Sequence, residues 1–198
     1  MSGHSAQWSS YVLSTERDNT RVPYRVVGDV VSATRCERPI WSTRGRGAHR
    51  PPNAIQRSGL AYERAIANIV RANMSPLHRI THGQWWRFTD ASGTHWCQTD
   101  ILIEHDSYDP IIIEAKLRWS RAACEQLTEL YEPVVAHALH ARPRNVLVCA
   151  ALANETPRVC NTLCDAFYSI ERVPVLHIPR IGESRHLSAE ARNALVLP

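Results

Sequence analysis

The sequence predicts one α/β domain in which helices flank a mixed β-sheet. Apolar residues recur at helical spacing over residues 58–73 and again over residues 119–139. Between these segments lie three short runs rich in β-branched and aromatic residues, separated by turn signals. A continuous apolar run at residues 145–152 then follows the second helix, as expected for a buried parallel strand reached by a helical crossover.

The chain of 198 residues, 44% of them hydrophobic, is long enough to bury one sizeable core. Residues 1–53 carry Pro and Gly around short apolar runs such as residues 24–31, which predicts a partly ordered basic arm with up to two strands. Residues 54–198 are predicted to form the single domain. No segment approaches the roughly 18 apolar residues of a membrane span, and the first residues lack a signal-peptide pattern. We therefore expect a cytoplasmic protein without a membrane partner.

The first helix is predicted to start after Ser58, an N-cap candidate, and to end at Asn73, before Pro76. Its inward stripe consists of Leu60, Ile66, Ala67, Val70 and Met74, and its polar face carries Arg64, Asn68 and Arg71. The next three runs, residues 79–88, 95–104 and 111–117, are predicted to be consecutive antiparallel strands. Their turns are predicted at residues 90–93 and 107–110.

In the second helix the predicted inward residues are Trp119, Ala123, Leu127, Leu130 and Val134. Pro133 should kink or split this helix, because proline lacks a backbone donor. After the strand at residues 145–152, a helix near residues 157–171, a short strand at residues 173–178 and a C-terminal helix near residues 188–195 complete the prediction.

Six cysteines, at positions 36, 97, 124, 149, 160 and 164, form no C-x-x-C pair. Most lie in segments predicted to be buried. Reduced core thiols are therefore expected. A metal site that includes Cys160 and Cys164 has little support, since their spacing matches no zinc or iron–sulfur pattern.

The net charge is +4, and residues 38–62 contain five arginines and no acidic residue. Such a stretch suits a polyanion such as nucleic acid. A solvated basic arm is an equal alternative, because Gly and Pro interrupt the stretch. The residues predicted to contact nucleic acid are Arg44, Arg46, Arg50, Arg57, Trp85, Arg118 and Tyr131.

Lys116 is the only lysine beside 22 arginines. Arginine is a planar fork with permanent charge, whereas lysine is a compact amine that approaches a water or a phosphate oxygen as a point charge. The retention of one lysine therefore suggests a chemical requirement at this position.

Asp100 and Glu114 lie symmetrically about Ser107 in the predicted turn, so the two carboxylates should stand about 5 Å apart across the hairpin. Lys116 follows Glu114 by two residues and should project from the same face. Two facing carboxylates repel each other unless a cation joins them, and hard cations such as Mg²⁺ prefer such oxygens. The carbonyl of Ala115 is a further ligand candidate. The alternative is a surface salt bridge, but apolar neighbours predict strands covered on both faces.

Glu63 and Gln126 lie on the two predicted helices that flank this hairpin. Glu63 interrupts the apolar stripe of the first helix, so it should face the metal, a water bound to it, or a neighbouring arginine. Gln126 lies at the edge of the second stripe, where its amide could orient a water or a phosphate, and Tyr131 follows five residues later. Ordinary packing is at least as good an explanation for Gln126 and Tyr131. Trp85 could stack on bases.

Residues 58–140 resemble the PD-(D/E)xK nuclease superfamily, a restriction-endonuclease-like fold with an αβββαβ core. The matching positions are Glu63 on a helix, Thr99-Asp100 for the PD element, Glu114-Ala115-Lys116 for ExK, and Gln126 on the next helix. Thr99 stands where the motif has proline. The helix start and the pair of Gln126 and Tyr131 are similar to the lambda-exonuclease-like branch, including bacteriophage enzymes, although the Gln-to-Tyr gap is one residue longer here. The small basic chain also resembles Holliday-junction resolvases.

This resemblance implies Mg²⁺- or Mn²⁺-dependent hydrolysis of phosphodiester bonds, usually in DNA. Asp100, Glu114 and Glu63 would surround the metal, and Lys116 would lie near the attacking water. It also implies a role in recombination, repair or phage DNA processing, and the resolvase branch implies a homodimer. RNA remains an open substrate, since no residue is known to read a 2′-hydroxyl. A non-catalytic nucleic-acid-binding or assembly protein with the same fold is the alternative.

Overall fold

A mixed sheet of six strands forms the centre of the computed structural model, which describes residues 25–39, 52–151, 173 and 175–177. The strands are β1 (Ser32–Cys36), β2 (Arg79–Asp90), β3 (Gly93–His105), β4 (Tyr108–Arg118), β5 (Arg144–Ala151) and β6 (Val175–His177), and each pairs with the next in chain order. β1 to β4 are antiparallel, whereas β5 and β6 run parallel to β4. The predicted mixed sheet and its three consecutive antiparallel strands are therefore confirmed.

Helices cover both faces of this sheet. On one face, helix α1 (Ala54–Asn73) packs against Ile101, Ile103, Ile111 and Ile113. On the other face, Leu102 and Ile112 pack against helix α2 (Arg121–Gln126), a π-helical turn (Leu127–Tyr131) and helix α3 (Glu132–Leu139). The α/β class and the helices flanking the sheet are confirmed. The central strands read as continuous apolar runs because each is buried on two sides.

Helix α1 starts five residues earlier than predicted. Asn53 is its N-cap: the side chain accepts a hydrogen bond from Gln56 N at 2.9 Å, and Gln56 Oε1 accepts one from Asn53 N at 2.7 Å. This reciprocal pair satisfies free donors of the first turn, which places Ser58 inside the helix. Leu60 was predicted to face inward but is exposed, so the buried stripe begins at Tyr62.

The second helix is divided near Pro133, as predicted. Pro133 lies in the first turn of α3, directly after the π-helical turn. A proline cannot donate to the carbonyl four residues earlier, which here belongs to Glu129. That carbonyl instead accepts a hydrogen bond from Val26 N at 2.9 Å. The interruption of the helix thus provides an attachment point for the segment that precedes β1.

Part of the predicted N-terminal arm belongs to the sheet, because β1 pairs with β2. The apolar run before it, described from residue 25 to residue 31, is not a strand. It is held instead by Asp90, whose Oδ2 accepts from Val27 N at 2.9 Å. The division of the chain at residue 53 stays a prediction.

The predicted strand at residues 173–178 corresponds to β6, while the helices predicted at residues 157–171 and 188–195 lie outside the described residues. Of the cysteines that the structure describes, Cys97 and Cys149 are buried, and Cys36 and Cys124 are half-buried. Among the described helices, none combines the length and apolar character that a bilayer crossing requires.

Candidate active site

In strands β2 and β3, alternate side chains change from one face of the sheet to the other at Gly83 and Asp100. This reversal of faces positions the residues of the site. Residues an even number apart on a regular strand share a face. Yet Ile80 packs with α1 while Trp86 packs with α2, and Ile101 packs with α1 while Cys97 packs with α2. Gly83 lies between the two halves of β2 with φ of +72°, and the paired positions skip Gly83 and Asp100. Asp100 therefore lies where the sheet exchanges its two faces.

The carboxylate of Asp100 bridges β3 and β4. Paired positions between these strands extend from Ile103 opposite Ile111 to Ile101 opposite Ile113, so Asp100 is in register with Glu114 as predicted. At this point Asp100 Oδ2 accepts a hydrogen bond from Ala115 N at 2.9 Å. The Asp100 carboxylate thus takes the place of a β3 backbone carbonyl as the acceptor for β4, at the point where the β3–β4 pairing ends. Its neighbour Thr99 is fully buried, and its hydroxyl accepts a hydrogen bond from Trp86 Nε1 at 3.3 Å.

Glu114 is a fully buried carboxylate in ion-pair contact with Lys116. Neither of its oxygens accepts a hydrogen bond of acceptable geometry, although Lys116 Nζ contacts Oε1. Burial raises the pKa of Glu114 to about 8, and the nearby charge of Asp100 adds to this shift, while Lys116 partly offsets it. Burial of an ionised carboxylate is costly, and Lys116 offsets only part of this cost, so a second positive partner would stabilise the charged form.

The Lys116 ammonium remains charged in this setting. Burial lowers its pKa, but the carboxylates of Glu114, Asp100 and Glu63 together raise it further, and the net pKa lies above its ordinary value. The side chain is 35% exposed, so it reaches from the buried Glu114 towards solvent. Lys116 is therefore placed to meet a ligand that approaches the cluster from outside.

Glu63 lies on α1, on the opposite face of the sheet from Glu114. It is half-buried beside Ile66 and Ala67, as the interrupted apolar stripe predicted. Burial raises the pKa of Glu63 to about 7, with a further contribution from Asp100, while Lys116 lowers it. The reversal of faces at Asp100 explains how a group on the α1 side interacts with the cluster.

Gln126 and Tyr131 approach the cluster from the α2 side. Gln126 Nε2 donates a hydrogen bond to the Tyr131 hydroxyl. Burial raises the pKa of Tyr131 well above its ordinary value, and the charges of Glu114 and Asp100 raise it further. Tyr131 is only 3% exposed, so the prediction that it contacts nucleic acid is wrong. Its π-helical turn directs it into the core beside the carboxylates.

The donors present fit a Mg²⁺ or Mn²⁺ ion that retains several waters. Asp100 and Glu114 are adjacent carboxylates, and the only cation in ion-pair contact with Glu114 among the described residues is Lys116. Within the described ranges, no three acidic, histidine or cysteine side chains form a metal-binding group. Mg²⁺ is commonly bound through only one or two carboxylates and completed by water and substrate phosphates. Direct ligation by Glu63 and by the Ala115 carbonyl remains a prediction.

The other residues predicted to contact nucleic acid differ in their exposure to solvent. Trp85 is only 7% exposed, so its ring offers almost no surface for a base, and the stacking prediction is wrong. It pairs across the sheet with Gln98 and Cys36 and packs inside. Arg57 and Arg118 are exposed. Arg44, Arg46 and Arg50 lie outside the described residues.

His82 is a neighbour of the site that was not predicted from the sequence as a site residue. Burial lowers its pKa; Asp100 raises it, whereas Arg71 and Arg64 on α1 lower it again. His82 thus interacts electrostatically with both the acidic cluster and α1. The sequence signal was Gly83, because a glycine inside a strand pattern indicates a bulge or a close backbone approach.

No family model matches the chain, and no curated protein matches it. Two solved structures are similar in part. One is a complex of EndoMS with double-stranded DNA, with 13% identity and a TM-score of 0.39 over 68% of this chain and 50% of that one. The other is a Type III CRISPR defence DNA nuclease activated by cyclic oligoadenylate, with 18% identity and a TM-score of 0.39 over 71% of this chain and 21% of that one. This chain thus spans half or less of either protein, and neither similarity assigns a function to it.

Proposed function

We propose that this protein is a divalent-metal-dependent nuclease that hydrolyses phosphodiester bonds of DNA. The observation that carries the proposal is the cluster at the end of the β3–β4 ladder. There, the fully buried carboxylate of Glu114 adjoins Asp100 and forms an ion pair with the ammonium of Lys116. Two carboxylates and one cationic group around a half-open position suit an anionic substrate that arrives with a divalent cation.

Asp100 and Glu114 would hold Mg²⁺ or Mn²⁺. A bound divalent cation polarises a phosphate and supplies hydroxide near neutral pH. The hydrogen bond from Ala115 N fixes the orientation of the Asp100 carboxylate, so this ligand needs little rearrangement. Burial of Glu114 keeps water and competing donors away from the second carboxylate.

Lys116 would stabilise the negative charge that builds up on the phosphate oxygens. The surrounding carboxylates raise its pKa, which favours a protonated ammonium over a general base. Glu63 would bind or orient water on the α1 side, and Gln126 would hold the Tyr131 hydroxyl on the α2 side. The cluster is thus supported from both faces of the sheet.

The chain order of α1, β2 to β4, a helical crossover and β5 supports assignment to the PD-(D/E)xK superfamily. Glu63, Asp100, Glu114, Lys116 and Gln126 occupy the motif positions named above. A role in recombination, repair or phage DNA processing and a cytoplasmic site of action are parts of this proposal.

The decisive experiment is a cleavage assay on labelled linear, nicked, single-stranded and four-way DNA, with Mg²⁺, Mn²⁺ or EDTA. We expect cleavage by the wild-type protein with either metal and none in EDTA. Lys116→Ala should abolish cleavage while the thermal unfolding transition is retained. Lys116→Arg should also be inactive, because a guanidinium cannot replace a compact ammonium in this space.

Full cleavage by Lys116→Ala would overturn the assignment of the site. Binding of DNA without cleavage of any substrate would instead identify a non-catalytic nucleic-acid-binding protein. Arg142→Gln is the matched control, since Arg142 is exposed and lies in the loop after α3. It should cleave as the wild type does.

A further inference from the structure

The polar face of helix α1 carries arginines at a regular spacing. Arg57, Arg64 and Arg71 follow one another at intervals of seven residues, and Asn68 lies between the last two. Seven residues correspond to almost two helical turns, with a drift of only about 20°. These four side chains therefore form one row, here called the basic ridge. With a rise of 1.5 Å per residue, the row from Arg57 to Arg71 is about 21 Å long, close to the axial length of six base pairs.

The positive charge of the basic ridge is not neutralised by its surroundings. All three arginines are exposed, and Glu63 is the only acidic residue within α1. In the part of the chain that the structure describes, no carboxylate lies within salt-bridge distance of Arg57, Arg64 or Arg71. Elsewhere on the described surface, arginines such as Arg79 and Arg121 are paired with glutamates. The basic ridge therefore differs from an ordinary surface of mixed charge.

Two of its side chains are held in place by local hydrogen bonds. Arg71 Nη1 donates to Asn68 Oδ1 at 3.1 Å, and Arg57 Nη1 donates to Pro52 O at 2.7 Å. Each guanidinium keeps other donors for a ligand, because it carries five N–H groups. Partial immobilisation before binding reduces the entropy cost of binding a phosphate.

The basic ridge is connected to the candidate active site. Helix α1 packs against β2 and β4, the strands that carry His82 and Glu114. The charges of Asp100, Arg64 and Arg71 all act on the half-buried imidazole of His82. It also adjoins Gly83, where the sheet turns over towards Asp100. The basic ridge therefore lies on the helix that packs against two strands of the candidate active site.

We propose that the basic ridge binds the phosphate backbone of the DNA that is cleaved at Asp100, Glu114 and Lys116. This inference rests on the proposed nuclease function and adds a surface that binds the substrate. The arginines make sequence-independent contacts to phosphates, since nothing in the ridge places a side chain in a groove.

The test is equilibrium binding of a short labelled duplex in EDTA, where cleavage is excluded, over a series of salt concentrations. We compare the wild type with Arg64→Gln, Arg71→Gln and the double variant. Each arginine that contacts a phosphate should reduce the slope of log K against log salt by about 1, so the double variant should lose about 2. Arg142→Gln should keep the wild-type slope. Glutamine is a good helix former, so α1 should remain folded, which thermal unfolding verifies.

A double variant with wild-type affinity and slope would overturn the proposal, and so would a wild-type protein that binds no DNA. Loss of slope in Arg142→Gln equal to that in the ridge variants would also overturn it, because the contacts would then depend on overall charge. The outcome is separable from that of the nuclease assignment. Reduced binding in ridge variants of a protein that never cleaves DNA would support the ridge and refute the nuclease. Wild-type binding by the ridge variants, together with cleavage that depends on Lys116, would refute the ridge and support the nuclease.

Discussion

At the scale of single residues, the central feature is a buried carboxylate that lowers the stability of the metal-free fold. Glu114 has no exposed surface, and its oxygens lack hydrogen bonds of acceptable geometry. The contact with Lys116 compensates only part of the desolvation, since the pKa of Glu114 remains raised. A site that sacrifices stability in this way is typical of function, because a well-packed neutral residue would make the metal-free fold more stable.

Replacement of this carboxylate should therefore stabilise the metal-free protein. We expect Glu114→Gln, measured in EDTA near pH 8.5, to be more stable by about 1 kcal/mol, a rise in Tm of about 2–4 °C. The amide keeps the shape of the side chain and removes its buried charge, while Lys116 can turn to solvent. The same variant should lose metal-dependent cleavage.

Glu125→Gln is the control for this prediction. Glu125 forms a surface ion pair with Arg121 at 2.8 Å, and such pairs contribute little. Its melting temperature should stay near that of the wild type. A Glu114→Gln protein that melts below the wild type in EDTA would contradict the prediction.

At the scale of elements, the reversal in β2 and β3 decides which groups meet. Gly83 has φ of +72°, a conformation that costs other residues about 1–2 kcal/mol. A Cβ at this position would also lie 2.7 Å from Gln98 Nε2, whose amide donates to Gly83 O at 3.0 Å. The glycine thus allows the strand to turn over at the position opposite Asp100.

Gly83→Ala should lower the free energy of unfolding by about 1–2 kcal/mol and reduce cleavage, because Asp100 would be displaced from its position between the strands. Gly59→Ala provides the matched control. Nothing lies within 4 Å of a Cβ at Gly59 in helix α1, so this change should raise stability by about 0.5–1 kcal/mol. Urea denaturation measures both effects. Equal stabilities of Gly83→Ala and the wild type would show that the reversal does not depend on glycine.

The π-helical turn gives a second prediction at this scale. Tyr131 is buried and receives a hydrogen bond from Gln126, so it cannot touch DNA directly. Tyr131→Phe should leave DNA affinity unchanged, cost about 1 kcal/mol of stability and slow cleavage about tenfold or more. Binding and single-turnover rates measured on the same duplex separate these effects. Weakened binding with an unchanged rate would contradict the role in positioning.

At the scale of the whole molecule, the helical spacing of apolar residues predicted the helices, and runs of apolar residues predicted the central strands. These runs occur because both faces of the central strands are buried. The register that places Asp100 level with Glu114 was also predicted, from their symmetry about Ser107, whereas the register shift between Ile103 and His105 beside the turn was not. The burial of Trp85 and Tyr131 could not be predicted, because it depends on how the helices and strands pack together. The proximity of Glu63, which lies on the other face of the sheet, depends on the reversal of faces at Gly83. The regular alternation of side chains along a strand does not predict this reversal.

The stability of the whole molecule should couple pH to divalent metal. The pKa values of Glu63 and Glu114 rise from an ordinary 4.5 to about 7 and about 8 in the folded, metal-free protein. A raised carboxyl pKa means that the folded state binds the proton more tightly. The contribution to stability is therefore complete below about pH 4.5 and is lost as pH rises to about 8. A bound cation compensates for the ionised carboxylates, so the rise in Tm that Mg²⁺ or Mn²⁺ produces should be larger near pH 8.5 than near pH 6. Thermal unfolding at the two pH values, with metal or with EDTA, measures this difference, and Glu114→Gln should reduce it. An equal rise at both pH values would show that the cation does not bind these carboxylates.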